Sequence, residues 1–299
     1  MKLLVIIVTY NALKWIDKCL KSVRESTIYA DIFVVDNGST DGTQDYIKEH
    51  FPETIFIQSE ENLGFGKANN IGLQFALDNE YDFIYLLNQD AWVYDNTFEL
   101  LINGFNVDSS FGILSPMQYQ SNGKILDSSF EKCLLNSNVL SSLPTDVLQD
   151  DYWAYPIKVN MTMAAHWMLS RACVKQVGGF SPTFPHYGED VNYNDRIHYW
   201  GLKMGIVPSA KAVHDRETRF ETAEKLLYMY KMSEYAILSN PNYRRKPWLL
   251  CFLSHVWFFI SNYRIYSYIF NFYFILSNMS IIKKNKKISK TPCAFLNEK

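Results

Sequence analysis

Four groups of residues have types and spacings suited to chemistry. Asp36 follows the apolar run Ile32 to Val35. A carboxylate at the end of a buried strand can accept hydrogen bonds from a base or a ribose, although it can also serve its own turn by accepting backbone N–H groups. Gly64-Phe65-Gly66-Lys67 opens a helical pattern. The glycines let backbone approach a ligand, and the free N–H groups of the helix start, with the Lys67 cation, favour negative charge. Asn69 and Asn70 follow, placed to bond a ribose or the preceding loop. Asn88-Gln89-Asp90 ends another apolar run, and one carboxylate plus one amide oxygen suit a hard divalent ion that keeps phosphate and water ligands. Glu189-Asp190 is a pair of adjacent carboxylates. Their repulsion raises the proton affinity of one member, which suits general-base chemistry on a hydroxyl, while a helix N-terminus would equally favour the pair through its dipole.

These groups need elements to position them. Leu3 to Thr9 is a continuous β-branched and Leu run, the pattern of a strand buried on both faces. Leu13, Ile16, Leu20 and Val23 fall on one face of a helix over 13–26. Ile32 to Val35, Thr54 to Gln58 and Phe83 to Leu87 read as further strands, with helices over 43–50 and 67–79 between them. Strand and helix thus alternate through the first ninety or so residues, which predicts an α/β layer fold with parallel strands. Ligands bind such sheets beyond the carboxyl ends of the strands, and Thr9-Tyr10-Asn11, Asp36-Asn37-Gly38 and Asn88-Gln89-Asp90 all fall there. Asp41-Gly42 shapes the turn before the second helix. From Met117 to Pro156 the chain is polar and poorly periodic, which predicts loops and short strands. Order returns at Met161 to Ser170, and 221–239 is helical in pattern.

The overall charge of −2 hides an asymmetry: residues 241–299 carry +9 and the remainder −11. The acidic body argues against nucleic acid as a partner. The tail has two apolar, aromatic runs, Trp248 to Ile260 and Ile265 to Met279, flanked by Arg244-Arg245-Lys246 and Lys283-Lys284-Asn285-Lys286-Lys287. Each run is shorter than the roughly 20 residues that span a bilayer, so interfacial helices on an anionic membrane surface are expected. The competing reading is a helical hairpin packed on the body or on a second copy in a homodimer. The five cysteines form no CxxC pair, as expected of free thiols in a reducing cytoplasm. The N-terminal apolar stretch runs straight into polar motif residues and reads as a first strand, not a signal peptide.

Taken together, Val8 to Asn11, Val35 to Thr43, Glu61 to Gly72, Leu86 to Ala91, and the later series Gly178-Gly179-Phe180, Tyr187-Gly188-Glu189-Asp190, Gly201, Pro208-Ser209-Ala210 and His214 resemble the family 2 glycosyltransferases, inverting enzymes of GT-A fold. The pattern looks most like the rhamnosyltransferase-like members that build bacterial surface polysaccharides. The resemblance covers residues 1–220. It implies an α/β, GT-A fold: a mixed, mostly parallel sheet flanked by helices, with a C-terminal helical extension. Residues 1–116 would be the nucleotide-sugar-binding half, 117–220 the acceptor-binding and catalytic half, and 221–299 a membrane-associated tail.

The resemblance also implies roles. Asp36 would grip the nucleotide base with Thr9 and Tyr10 against it, and Asn11, Gly64, Gly66, Lys67, Asn69 and Asn88 would complete the nucleotide site. Asp90 stands where the family has its DxD metal motif, whose first acid is here Asn88. With His214 it would hold Mn²⁺ or Mg²⁺, and the ion would neutralise the diphosphate leaving group. Asp190 would be the base, Glu189 would orient it or the acceptor, and Trp167 and His186 are expected as acceptor-side walls. The implied reaction is inverting transfer from a nucleoside-diphosphate sugar, with dTDP-rhamnose as the leading donor, to a saccharide or lipid-linked acceptor at the cytoplasmic face of the membrane. The alternatives are a UDP-hexose or UDP-N-acetylhexosamine donor, or a non-catalytic nucleotide-sugar scaffold. An NAD-dependent oxidoreductase is disfavoured, because the third position of GxGxxG is Asn69. His50, His166 and His198 are read as structural or exposed residues without partners.

Overall fold

The computed structural model describes residues 1–137, 155–216, 222–243 and 265–296. The apolar run Trp248 to Ile260, the basic triplet Arg244 to Lys246 and much of the predicted loop region before Pro156 lie outside them.

The first half alternates as predicted: β1 (Leu3–Thr9), α1 (Ile16–Arg24), β2 (Asp31–Asp36), α2 (Thr43–His50), β3 (Ile55–Gln58), α3 (Gly64–Asp78) and β4 (Phe83–Asn88). β1 pairs in parallel with β2 and β4, and β2 with β3. Successive residues of a strand point to opposite faces, and the two cores follow that rule. Leu4, Ile6, Phe33, Val35, Ile84 and Leu86 face one core, which α3 covers through Ala68, Leu73 and Ala76. Leu3, Val5, Ile7, Ile32, Val34, Tyr85 and Leu87 face the other, which α1 covers through Ile16, Cys19, Leu20 and Val23.

The remaining elements are β5 (Ala91–Val93), α4 (Thr97–Val107), β6 (Phe111–Tyr119), α5 (Ser128–Asn136), β7 (Ile157–Val159), β8 (His166–Ser170), α6 (Arg171–Val177), α7 (Glu189–Tyr199), β9 (Lys203–His214), α8 (Ala223–Ser239) and α9 (Ile265–Ile288). The strands form one sheet of order β3-β2-β1-β4-β8-β6-β9-β5, with β7 on β9. β8 lies antiparallel between β4 and β6, so the sheet is mixed. The boundary drawn at residue 116 falls inside β6, and both halves share the sheet. α5 lies where the sequence suggested loops; Asp127 caps it by accepting from the N–H groups of Ser129 and Phe130, and Phe130 and Leu134 anchor it in the core.

The tail returns to the body. α9 packs Ile275 and Ile282 against Phe184 and against Met232, Tyr235 and Ala236 of α8. Asn285 donates to Thr183 Oγ1 at 2.8 Å. Beyond the helix, the N–H of Cys293 donates to the Lys175 carbonyl and that of Gly179 to the Ala294 carbonyl, at 3.0 and 2.8 Å. Gly178 has φ +86°, and a Cβ there would collide with the backbone of Ala294, so only glycine permits this closure. Fully buried Arg196 donates to the Val177 and Gly179 carbonyls and lies 5.0 Å from the Phe295 ring centroid. Among the described residues this part of the tail is therefore packed on the body, and no helix is long and apolar enough to cross a membrane. The four described cysteines are free thiols.

Candidate active site

The parallel register brings the polar strand ends to one edge, with Thr9 opposite Asp36 and Val8 opposite Asn88. Asp36 is fully buried. Its Oδ1 accepts from the N–H groups of Gly38 and Ser39 and from Gln44 Nε2, and its Oδ2 accepts from the hydroxyls of Thr9 and Ser39, all within 3.1 Å. Asp36 and Thr9 thus build the wall of the cradle. Tyr10 is 49 % exposed, and its neighbour Asn11 is exposed as well. The Tyr10 N–H donates to Gln89 Oε1 at 2.6 Å and its carbonyl accepts from Gln89 Nε2 at 3.2 Å, which ties the ends of β1 and β4. Asn11 adopts φ 51°, takes the Ser39 hydroxyl with its N–H and accepts from the Thr40 N–H, so it serves the turn.

The glycine-rich segment differs in detail from its sequence reading. Gly64 has φ +77°, and a Cβ there would strike the Pro185 carbonyl; one on Gly66 would crowd Phe180. The close approach these glycines permit is that of the 180–185 loop, on the side a Cβ would occupy. Asn69 is buried and donates to the Phe65 carbonyl one turn back, at 2.9 Å, so its amide is used inside the helix and not turned to a ligand. Asn70 exchanges two bonds with the backbone of Phe180, at 2.6 and 2.9 Å. Lys67 is exposed. The segment is a bracket that fixes the second half's loop to the start of α3.

At the ends of β4 and β9, Asp90 Oδ1 and His214 Nε2 lie 3.4 Å apart, and the Asn88 amide is 3.4 Å from the same nitrogen. Asp90 and His214 are buried, and the N–H of Asp215 donates to the Asp90 carbonyl at 2.8 Å. A carboxylate, an imidazole nitrogen and an amide converging on one point fit a divalent ion that takes its other ligands from phosphate and water. Among the described residues no cluster of three His, Cys, Asp or Glu forms, so the protein donors would be few.

Tyr187 at φ 60° and Gly188 at φ 87° turn the chain into α7, whose first two residues are Glu189 and Asp190. Glu189 Oε2 is buried without a hydrogen-bond partner among the described residues; Asp190 Oδ1 accepts from the Val191 N–H at 2.8 Å. Burial raises the proton affinity of both carboxyls, and the charge of Asp190 raises that of Glu189 further. Arg216, paired with Asp127 at 2.8 Å, opposes the rise at Asp190.

His186 is exposed beside Tyr187, where an acceptor wall would be. Trp167 is not: it is fully buried on β8, stacked on Phe180 and packed near Tyr193. His50, His166 and His198 have partners. His166 is held at both ring nitrogens by Tyr85 and the Val213 carbonyl, and burial lowers its proton affinity to about 3. His198 meets the Asn160 carbonyl, and His50 that of Tyr46. Gln89, Tyr187, Arg216 and Tyr228 were missed as site residues; Gln89 and Tyr187 stand inside quoted motifs, whereas Arg216 and Tyr228 carried no signal in the sequence.

Residues 4–140 match the model of the glycosyl transferase family 2. The chain carries a family 2 glycosyltransferase domain. The N-acetylglucosaminyl-diphospho-decaprenol L-rhamnosyltransferase of Mycobacterium tuberculosis is 24 % identical to this glycosyltransferase over 257 residues, 79 % of this chain and 83 % of that one. Among solved structures, S. aureus TarS 1–349 in complex with UDP superposes with TM-score 0.55 at 19 % identity, over 83 % of this chain and 68 % of that one. GalNAc-T7 with UDP, GalNAc and Mn²⁺ gives 0.56 at 17 %, over 81 % and 50 %. The glycosyltransferase has the GT-A fold that these likenesses describe.

Proposed function

We propose that this glycosyltransferase moves a sugar, with inversion, from a nucleoside-diphosphate donor to a saccharide or lipid-linked acceptor used in cell-surface polysaccharide. The observation that carries the reading is the meeting of Asp90 and His214, 3.4 Å apart, at the strand edge that Tyr10 and the Asp36 cradle also border. The leading donor is dTDP-rhamnose, supported by the rhamnosyltransferase relative; a UDP-hexose or UDP-N-acetylhexosamine is the alternative.

Tyr10 lies against the base, and Lys67 and the N–H groups opening α3 favour the diphosphate. Asn88, Asp90 and His214 would hold Mn²⁺ or Mg²⁺, which when bound supplies charge neutralisation for the departing diphosphate. Asp190, ionised, takes the proton of the acceptor hydroxyl as that oxygen attacks C1 from the face opposite the leaving group. Glu189 holds the acceptor. Its shortage of partners leaves a buried carboxyl for a substrate hydroxyl to satisfy.

The outward face of α9 supports a peripheral site on an anionic membrane at the cytoplasmic side. It runs from exposed Tyr273 and Leu276 to exposed Lys283, Lys284 and Lys287. Replacing the three lysines with Gln should abolish sedimentation with phosphatidylglycerol vesicles at low salt; unchanged sedimentation removes the membrane role.

The deciding experiment is donor hydrolysis. Purified protein is mixed with a panel of nucleotide sugars and Mn²⁺ or Mg²⁺, and free nucleoside diphosphate is followed with and without EDTA. EDTA-sensitive release from one donor is expected. No release, together with no metal-dependent nucleotide binding, would leave the scaffold reading in its place.

A further inference from the structure

We infer that Tyr187, Tyr228 and Lys225 form an acceptor subsite for a saccharide that carries a phosphate, a reading that rests on the glycosyl transfer proposed above. Observations from two separate stretches of chain, the turn before α7 and the start of α8, meet here. Tyr187 holds a left-handed conformation at φ 60°, which is uncommon for a bulky residue and persists where the surroundings impose it. The conformation leaves the ring 38 % exposed, directly before the Glu189-Asp190 pair. Tyr228 comes from α8 and stands edge-on to Tyr187, with ring centroids 6.3 Å apart and planes at 69°. The two rings make a corner. Lys225, one turn earlier on α8, carries its ammonium 5.7 Å from the Tyr187 centroid. Glu189 is close enough to be the second cause, after burial, of the raised proton affinity of the Tyr228 phenol, and its Oε2 is buried with no hydrogen-bond partner among the described residues.

Each part selects one portion of a ligand. The negative face of an aromatic ring attracts the electron-poor C–H face of a pyranose. A buried carboxyl oxygen without a partner is satisfied by a sugar hydroxyl. An ammonium over an aromatic ring keeps most of its hydrogen-bonding capacity, and a phosphate at the anomeric position gives it a charge-assisted acceptor. A neutral oligosaccharide would leave that cation unused. The corner is made by the turn that leads into α7 and by α8, segments other than those assigned to the donor's diphosphate, so it does not duplicate that site.

The test uses the full chain saturated with Mn²⁺ and with UDP or dTDP, so that the donor site is filled. N-acetylglucosamine 1-phosphate and N-acetylglucosamine are then titrated by saturation-transfer NMR. The wild type is expected to prefer the phosphorylated sugar by about tenfold. Lys225→Gln should erase that preference and leave the free sugar's affinity unchanged, whereas Tyr187→Ala should weaken both sugars about equally. Nucleotide affinity, measured in parallel, should be the same in all three proteins and reports that each is folded. A wild type that binds neither sugar, or without preference, or a Lys225→Gln protein that keeps the preference, overturns the subsite. Absence of nucleotide binding in the wild type would instead overturn the transfer reading, and the two failures are separable.

Discussion

The strand-end cradle and the α7 carboxylates sit in the same molecule but are built in opposite ways. In the cradle, Asp36 has five hydrogen-bond donors on its two oxygens, all from the chain itself. At α7, Glu189 has an oxygen with no partner among the described residues, and both carboxyls are pushed toward the protonated form by burial. The first region is a satisfied polar network, which is rigid and contributes stability. The second holds charge in a place that disfavours it, a pattern that marks chemistry more often than architecture. The difference teaches that in this fold the groove is set by local turns, and reactivity by a helix start that the rest of the chain must hold down.

Substitutions can break or sharpen that contrast. The largest effect is expected at Asp190→Asn, which should lower kcat by about 10²- to 10⁴-fold while nucleotide affinity, read by calorimetry, stays unchanged. Retained turnover would place the base elsewhere. Asp36→Ala should act on stability instead. It strands up to five donors and should cost about 3 kcal/mol in chemical denaturation; an unaltered midpoint would show the network to be dispensable. Glu189→Gln tests the opposite sign. A carboxyl whose folded-state proton affinity is raised binds more protons in the native state than in the unfolded one, so wild-type stability falls as pH rises from the ordinary carboxylate range through the raised value. The Gln variant lacks that loss and should melt about 2–4 °C higher at pH 8, with no gain at pH 4. The smallest effect is expected at Arg216→Gln. Without the cation near Asp190, the acid limb of the pH–rate profile should move upward by about half a unit. No movement would mean that solvent screens Arg216 from the base.

How much of this was legible in the sequence follows from how local each signal is. β1 was readable residue for residue, because a strand buried on both faces is an unbroken apolar run, and helix 43–50 likewise matched α2. β8 was not readable as the antiparallel member between β4 and β6, since pairing across long separations leaves no periodic trace. α5 was lost in its polar surroundings, although Asp127 before Phe130 and Leu134 was a cap followed by an i, i+4 apolar pair. The motif glycines were visible but their neighbour was not: nothing in Gly64 or Gly66 announces Pro185 and Phe180. Trp167 was misread because an aromatic near a catalytic motif looks the same in sequence whether it faces a ligand or a core. Arg216 and Tyr228 reach the carboxylate pair from other elements, and only the fold brings them there.

The closure of the tail onto Gly178 has a consequence for the order of assembly. The chain is made from its N-terminus, so the cradle of β1, β2 and β4 can form from the first ninety or so residues as they emerge. The turn at Gly178-Gly179, which leads into α7, waits for Ala294. Such long-range contacts are slow to form, and until they do the apolar faces of α6 and α7 lack part of their cover. During synthesis, a chain able to hold a nucleotide would therefore precede one whose acceptor side is locked, and the delay is the stage at which a chaperone, or a second nascent chain, would meet the exposed surface.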